Sequence, residues 1–230
     1  MLVDSHCHLD RLDFSPFDDD FSNFMKRIHD EDIEHLLCVC IDLEGFSEMR
    51  ELVASYANIS LTVGVHPNVR KGRDPDIAEL SALAADSKII GIGETGLDYF
   101  RSEGDLSWQH DRFRAHIRAA RETNKPLIIH TRNAKDETLR IMKEERASEV
   151  GGVLHCFTED WDMAQKAIDM NFYISFSGIV TFKNAATVQE VAKKIPEHGT
   201  RNTEHGTRNT EHGTRNTEHG TRNTEHGTRN

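Results

Sequence analysis

His6 and His8 stand two residues apart just past the apolar run that opens the chain, in MLVDSHCHLD. On an extended backbone that spacing turns both imidazoles to the same face, and two imidazoles converging on one point suit a divalent metal. A merely structural histidine pair is the alternative. Other strand ends weigh against it: Glu94 lies in GIGETGLDYF, His130 in LIIHTR and His155 in VLHCF, each after an apolar run. Taken singly, each histidine reads as a buried neutral ring with a satisfied hydrogen bond. Taken together, at several different strand ends, they read as a metal centre. Glu94 has two carboxylate oxygens and can bridge two ions, which is the arrangement of two-metal hydrolysis, with an activated water as nucleophile.

These residues need elements to bring them together. Short apolar runs recur at Leu2–Ser5, His35–Ile41, Ser60–Val65, Lys88–Gly93, Pro126–His130, Gly152–His155 and Phe172–Ser175. Amphipathic stretches such as Phe17–Asp30, Leu43–Tyr56, Trp108–Thr123 and Asp136–Glu145 lie between them. Strand alternating with helix implies parallel pairing and an α/β fold. A doubly wound sheet gathers its site at one switch point beside a glycine-rich phosphate turn after the first strand, and no such turn is present. Polar residues end nearly every run instead: Asp4 to His8, Asp42, His66, Glu94, His130, His155. A TIM-type (β/α) barrel builds its site from the C-terminal ends of many strands, and that fold is the expectation.

In that order, the strings DSHCHLD, GVHP, GIGETGLDYF, PLIIHTRNA, LHCFT and ISFSGIVTFKNA resemble the TatD family of metal-dependent deoxyribonucleases, within the wider amidohydrolase-like barrel superfamily. The resemblance runs from Val3 to about Pro196. It implies that His6, His8 and Glu94 hold one ion and that Glu94, His130 and His155 hold a second. The ions it implies are Mg²⁺ or Mn²⁺; the number of histidines keeps Zn²⁺ open, since imidazole suits zinc and Mg²⁺ prefers oxygen. It also implies an eighth strand ending in an aspartate that serves as ligand and proton acceptor. That strand is expected to be missing here, because Ile195-Pro196 leads straight into a repeat.

Other residues of these motifs have less specific roles. His66 is expected at the mouth, contacting a phosphate oxygen or a neighbouring side chain. Arg132 can fork onto a scissile or leaving phosphate, or pair with a loop carboxylate such as Asp98 or Asp136. Asp98 can orient a ligating imidazole, and Tyr99 and Phe100 can stack on a base or simply pack. Ser175, Ser177 and Gly178 give the seventh strand a small-residue mouth.

The whole-chain properties set limits. A formal net charge of −11 argues against broad capture of duplex DNA, which relies on basic patches, though bound metal supplies positive charge locally. The resemblance implies a DNA substrate, with single-stranded ends the expected partner; no membrane and no obligate protein partner is expected. The N-terminus lacks a signal-peptide pattern and no run reaches the length of a membrane span. Cys7, Cys38, Cys40 and Cys156 show no zinc or disulfide spacing, which suits reduced thiols in the cytoplasm. Residues 1–196 are expected to be the hydrolase barrel. Residues 197–230 repeat EHGTRNT nearly five times, with nothing apolar enough to offset ordering, so disorder is expected. A tandem seven-base DNA unit, GGAACAC, encodes this heptapeptide in every frame, so the tail reads as a genomic accident. Three functions are compatible with these residues: hydrolysis of DNA phosphodiesters, hydrolysis of another ester or a C–N bond on the same scaffold, or an inactive metal-binding pseudoenzyme.

Overall fold

Aspartates set where several helices begin. Asp20, Asp76 and Asp160 each take extended backbone, and their carboxylates accept from the exposed N–H of Ser22, Glu79 and Met163 respectively. In the computed structural model, which describes residues 2–70, 72–100 and 102–195, the apolar runs form seven strands: β1 (Leu2–Cys7), β2 (Ile33–Cys38), β3 (Ile59–Val63), β4 (Ile89–Asp98), β5 (Leu127–Arg132), β6 (Gly152–His155) and β7 (Phe172–Ile174). Between and after them run α1 (Phe21–Asp30), α2 (Phe46–Leu52), α3 (Ile77–Leu83), α4 (Ser107–Thr123), α5 (Lys135–Glu144), α6 (Trp161–Asp169) and α7 (Ala186–Lys194).

The strands pair in parallel in sequence order, from β1 to β7, as one sheet. The sheet is strongly curled. His6 on β1 and His155 on β6 have ring centroids 3.3 Å apart, whereas five strand spacings in a flat sheet separate them by roughly 24 Å. Leu61, Val63, Ile92, Leu97, Leu127, Ile129 and Leu154 are fully enclosed, as expected of parallel strands covered on both faces. The barrel-type α/β architecture is the one expected.

Several boundaries shift by a few residues from the expectation, β2 and α2 among them, and two others do so for identifiable reasons. Helix α1 starts at Phe21 rather than Phe17, because Asp18 and Asp19 take left-handed backbone (φ 60° and 54°) and Asp20 caps the helix after them. Strand β4 does not stop before Glu94. It continues to Asp98, with Thr95, Gly96, Leu97 and Asp98 in register with Ile129, His130, Thr131 and Arg132. Glu94 therefore sits within a strand rather than just beyond one. Gly96 permits this pairing: at φ 132° it carries no Cβ, and one added there would lie 2.0 Å from the His130 carbonyl oxygen. The repeat expected to be disordered and the boundary at Pro196 lie outside the described residues.

Candidate metal centre

Glu94 is the hub. Its carboxylate is buried, and its two oxygens face different imidazoles. Oε2 lies 3.3 Å from His6 Nε2 and 3.9 Å from His8 Nε2. Oε1 lies 3.4 Å from His130 Nδ1 and 3.7 Å from His66 Nε2. The strands explain the convergence: β1 supplies His6, the residue after it His8, the loop after β3 His66, and β4, β5 and β6 supply Glu94, His130 and His155. His6, His8, His66, His130 and His155 thus gather around the Glu94 carboxylate, whereas Arg132 does not join them and Asp42, also expected at a strand end, pairs with Arg11.

Hydrogen bonds outside the cluster fix which ring nitrogens face inwards. His8 Nδ1 lies 2.8 Å from the Val39 carbonyl oxygen. A carbonyl only accepts, so Nδ1 carries the proton and the Nε2 lone pair is free towards Glu94. His130 Nε2 lies 3.0 Å from Asp98 Oδ2, which leaves the Nδ1 lone pair for the centre. Asp98 is itself held by Asn68 Nδ2 at 2.8 Å and by the Phe100 N–H at 3.0 Å. This is the orienting role expected of Asp98.

His66 is the opposite case. Its Nδ1 accepts from the Asn68 backbone N–H at 3.1 Å, so the neutral ring carries its proton on Nε2. The atom nearest Glu94 is then a donor, not a lone pair. Nearness groups His66 with Glu94 and His130, but the hydrogen bonding makes His66 a poor ligand and a good donor.

Burial and neighbours set the charge states. Burial would raise the Glu94 pKa, but the facing imidazoles of His130, His6 and His66 hold it well below the ordinary value. Burial lowers the His66 pKa to about 4, partly opposed by Glu94. Burial and then the neighbouring His6 lower that of His155 to about 3. For His130, burial lowers the value and the flanking carboxylates of Glu94 and Asp98 more than compensate.

His6 Nε2 supplies the test of fit. It is buried and has no hydrogen-bond partner among the described residues; its 3.3 Å approach to Glu94 Oε2 is a close contact without hydrogen-bond geometry. A buried lone polar atom beside a carboxylate is costly unless a cation serves both, so the donor set fits a divalent ion. Two groups with donors within 4.8 Å of one another could hold one: His6, Glu94 and His155, and His66, Glu94 and His130. The resemblance implies a group of His155 with His130. Here the His155 ring lies parallel to that of His6, with 5° between the planes, and its donors belong to the His6 group.

Sequence reasoning passed over the residues that hold these in place. His116 on α4 is fully buried, accepts from the Val65 N–H at 2.9 Å through Nε2 and donates to the Arg112 carbonyl through Nδ1 at 2.8 Å. Arg112 Nη1 donates to the carbonyls of His66 and Val69 at 2.9 and 2.8 Å. These two α4 side chains pin the loop that carries His66, and the only sequence signal was polar residues on the inner face of an amphipathic helix. Of the remaining candidates, Tyr99 turns its hydroxyl to His110 Nε2 at 2.5 Å, Ser177 lies 2.9 Å from Cys156 Sγ, and Phe100 is exposed at the rim.

Comparison with known proteins fits this centre. The profile of the family described as TatD related DNase matches residues 3–199. The chain belongs to that family. The metal-dependent hydrolase YcfH of Escherichia coli K12, which carries the word uncharacterized in its name, is 44% identical over 196 residues, covering 85% of this chain and 73% of that protein. A similarly named hydrolase of Bacillus subtilis 168, YabD, is 38% identical over 197 residues, covering 85% and 76%. The crystal structure of YJJV, a TatD homolog from Escherichia coli K12, superposes with a TM-score of 0.77 at 23% identity, over 86% of this chain and 76% of that one. This chain is a metal-dependent hydrolase of the TatD family, on the fold that its strands specify.

Proposed function

We propose that this hydrolase cleaves phosphodiester bonds at single-stranded DNA ends, with two divalent ions held by His6, His8, Glu94, His130 and His155. The observation that carries the reading is the division of labour at Glu94, whose two oxygens each face a separate imidazole group. Such ions, when bound, lower the pKa of a water towards neutrality and neutralise charge developing on phosphoryl oxygens. The mixture of imidazole and carboxylate accepts Mn²⁺ or Zn²⁺ well, and Mg²⁺ through the carboxylate.

The chain's own groups supply orientation and hydrogen bonds. Asp98 holds His130 in the tautomer that turns Nδ1 inwards. The Val39 carbonyl does the same for His8 Nε2. His66 turns an N–H towards the centre and donates to a non-bridging phosphoryl oxygen as its charge grows, a preorganised donor in a partly buried site. Burial keeps His66 neutral over the physiological range, so this is a neutral hydrogen bond rather than an acid. The unpaired cysteines suit the reducing cytoplasm; among the described residues no helix is long and apolar enough to cross a membrane.

The deciding assay measures release of mononucleotides from single-stranded DNA with Mn²⁺, beside a panel of carboxylic esters and amides. Mononucleotide release that EDTA abolishes supports the reading. Turnover of an ester or amide with none of DNA would replace it with the other hydrolysis expected of this scaffold, and no turnover at all would favour a metal-binding pseudoenzyme.

A further inference from the structure

In this acidic chain almost every arginine of the described residues is tied to a carboxylate: Arg11, Arg27, Arg50, Arg73, Arg112, Arg114, Arg118, Arg121, Arg140 and Arg146 all form ion pairs. Arg70 and Arg132 do not. Both sit at the mouth, Arg70 on the loop after β3 and Arg132 as the last residue of β5. Leaving two guanidinium groups unneutralised at one rim, when carboxylates outnumber cations overall, points to an anion that arrives from outside.

The two are also presented in a fixed way. The Arg132 guanidinium lies over the exposed Phe100 ring, 3.6 Å from its centroid. Stacking on the ring holds the guanidinium plane and leaves its N–H edges for an anion, so less rotamer freedom is lost on binding. Arg70 comes directly after Val69, whose carbonyl is held by the buried Arg112. The two supports are linked, because Asn68 on the Arg70 loop donates to Asp98, two residues before Phe100 and the partner of His130. Arg11, also near the mouth, offers no such grip. It is taken up by Asp10 and Asp42 and lines an acidic cavity of about 510 Å³ with Glu44 and Glu48.

We infer that Arg70 and Arg132 form a cationic clamp that grips phosphates flanking the scissile bond of a single-stranded polynucleotide, with Phe100 as the rest for Arg132. The inference builds on the nuclease reading and adds to it the residues that hold the strand. Each phosphate that a cation neutralises on a single strand contributes about 0.7 to the slope of log affinity against log salt.

The experiment measures fluorescence anisotropy of a dye-labelled oligothymidylate with the full chain, across a salt series in EDTA and again with Ca²⁺. Arg132→Gln and Arg70→Gln are each expected to flatten the slope by about 0.7 and to weaken binding about fivefold near 0.1 M salt. Arg132→Lys keeps the slope while losing affinity, because the charge stays and the flat stack does not. Arg146→Gln, on the outer surface, changes neither. An unaltered slope in both glutamine variants, with binding by the parent chain intact, overturns the clamp and leaves the nuclease reading standing. Failure of the parent chain to bind the oligonucleotide in either buffer overturns both.

Discussion

His130 is held from both sides: Nε2 lies 3.0 Å from Asp98 Oδ2 while Nδ1 lies 3.4 Å from Glu94 Oε1. One carboxylate fixes the proton on the far nitrogen and so frees the near nitrogen's lone pair for the centre. An asparagine at position 98 can present its amide nitrogen to the ring and favour the wrong tautomer. Asp98→Asn is therefore expected to fold normally and to bind metal about 10- to 100-fold more weakly, the usual cost of removing such a partner. Calorimetric titration with Mn²⁺ measures it. Unchanged affinity would show that the ring is held by packing alone.

Glu94 faces both imidazole groups, whereas His155 belongs with His6. Glu94→Ala is expected to abolish binding at both positions, and His155→Ala to weaken one. Elemental analysis of the purified variants gives the stoichiometry directly. Two ions retained by Glu94→Ala would show that the carboxylate is not the bridge.

The strands and the ring of histidines were legible in the sequence because both depend on short-range pattern. An apolar β-branched run ending in a polar residue becomes a parallel strand with its chemistry at one end, as β1, β5 and β6 are. The course of β4 past Glu94 was not legible. It depends on Gly96 letting the backbone approach His130, a contact between strands distant in sequence. The grouping of His155 with His6 was hidden for the same reason: it depends on how far the sheet curls, which no local pattern encodes. Nor could spacing assign the His66 tautomer, which rests on a single backbone N–H from Asn68. Arg112 and His116 read as ordinary helix polar residues until α4 is laid against the β3 loop.

That tautomer separates two roles for His66. A ligand lost should empty a site, whereas a donor lost should slow turnover only. His66→Ala is expected to keep the metal content of the parent chain and to lose about 10²-fold or more in kcat on single-stranded DNA, the usual scale for one preorganised donor. His130→Ala should lose metal as well. Parallel elemental analysis and steady-state kinetics distinguish the two, and a metal content that falls as far in His66→Ala as in His130→Ala would make His66 a ligand.

Stability towards acid depends on a group of α4 that lies away from any ligand. Burial lowers the His116 pKa to about 4, and the Arg112 carbonyl opposes that shift by accepting from Nδ1. Arg112 and Asp74 are the charged groups bearing on it, and their effects oppose each other. The neutral ring is needed, because protonation would take away the Nε2 lone pair that accepts from Val65. In the unfolded chain this histidine titrates near 6.5. Below that pH the unfolded chain takes up a proton that the folded chain refuses until about pH 4, so stability falls as the pH drops from 6.5 towards 4. At about 1.4 kcal/mol per unit, the loss over that window is on the order of 3 kcal/mol. His116→Gln lacks a group that titrates here. It is expected to be about 1–3 kcal/mol less stable at pH 7, through a strained or lost hydrogen bond to the β3 loop, with a flatter decline towards acid. Urea melts of both proteins at pH 7, 6 and 5 give the comparison, and other histidines cancel because both chains carry them. Parallel declines in the two proteins would mean that the buried imidazole is not what ties the β3 loop to neutral pH.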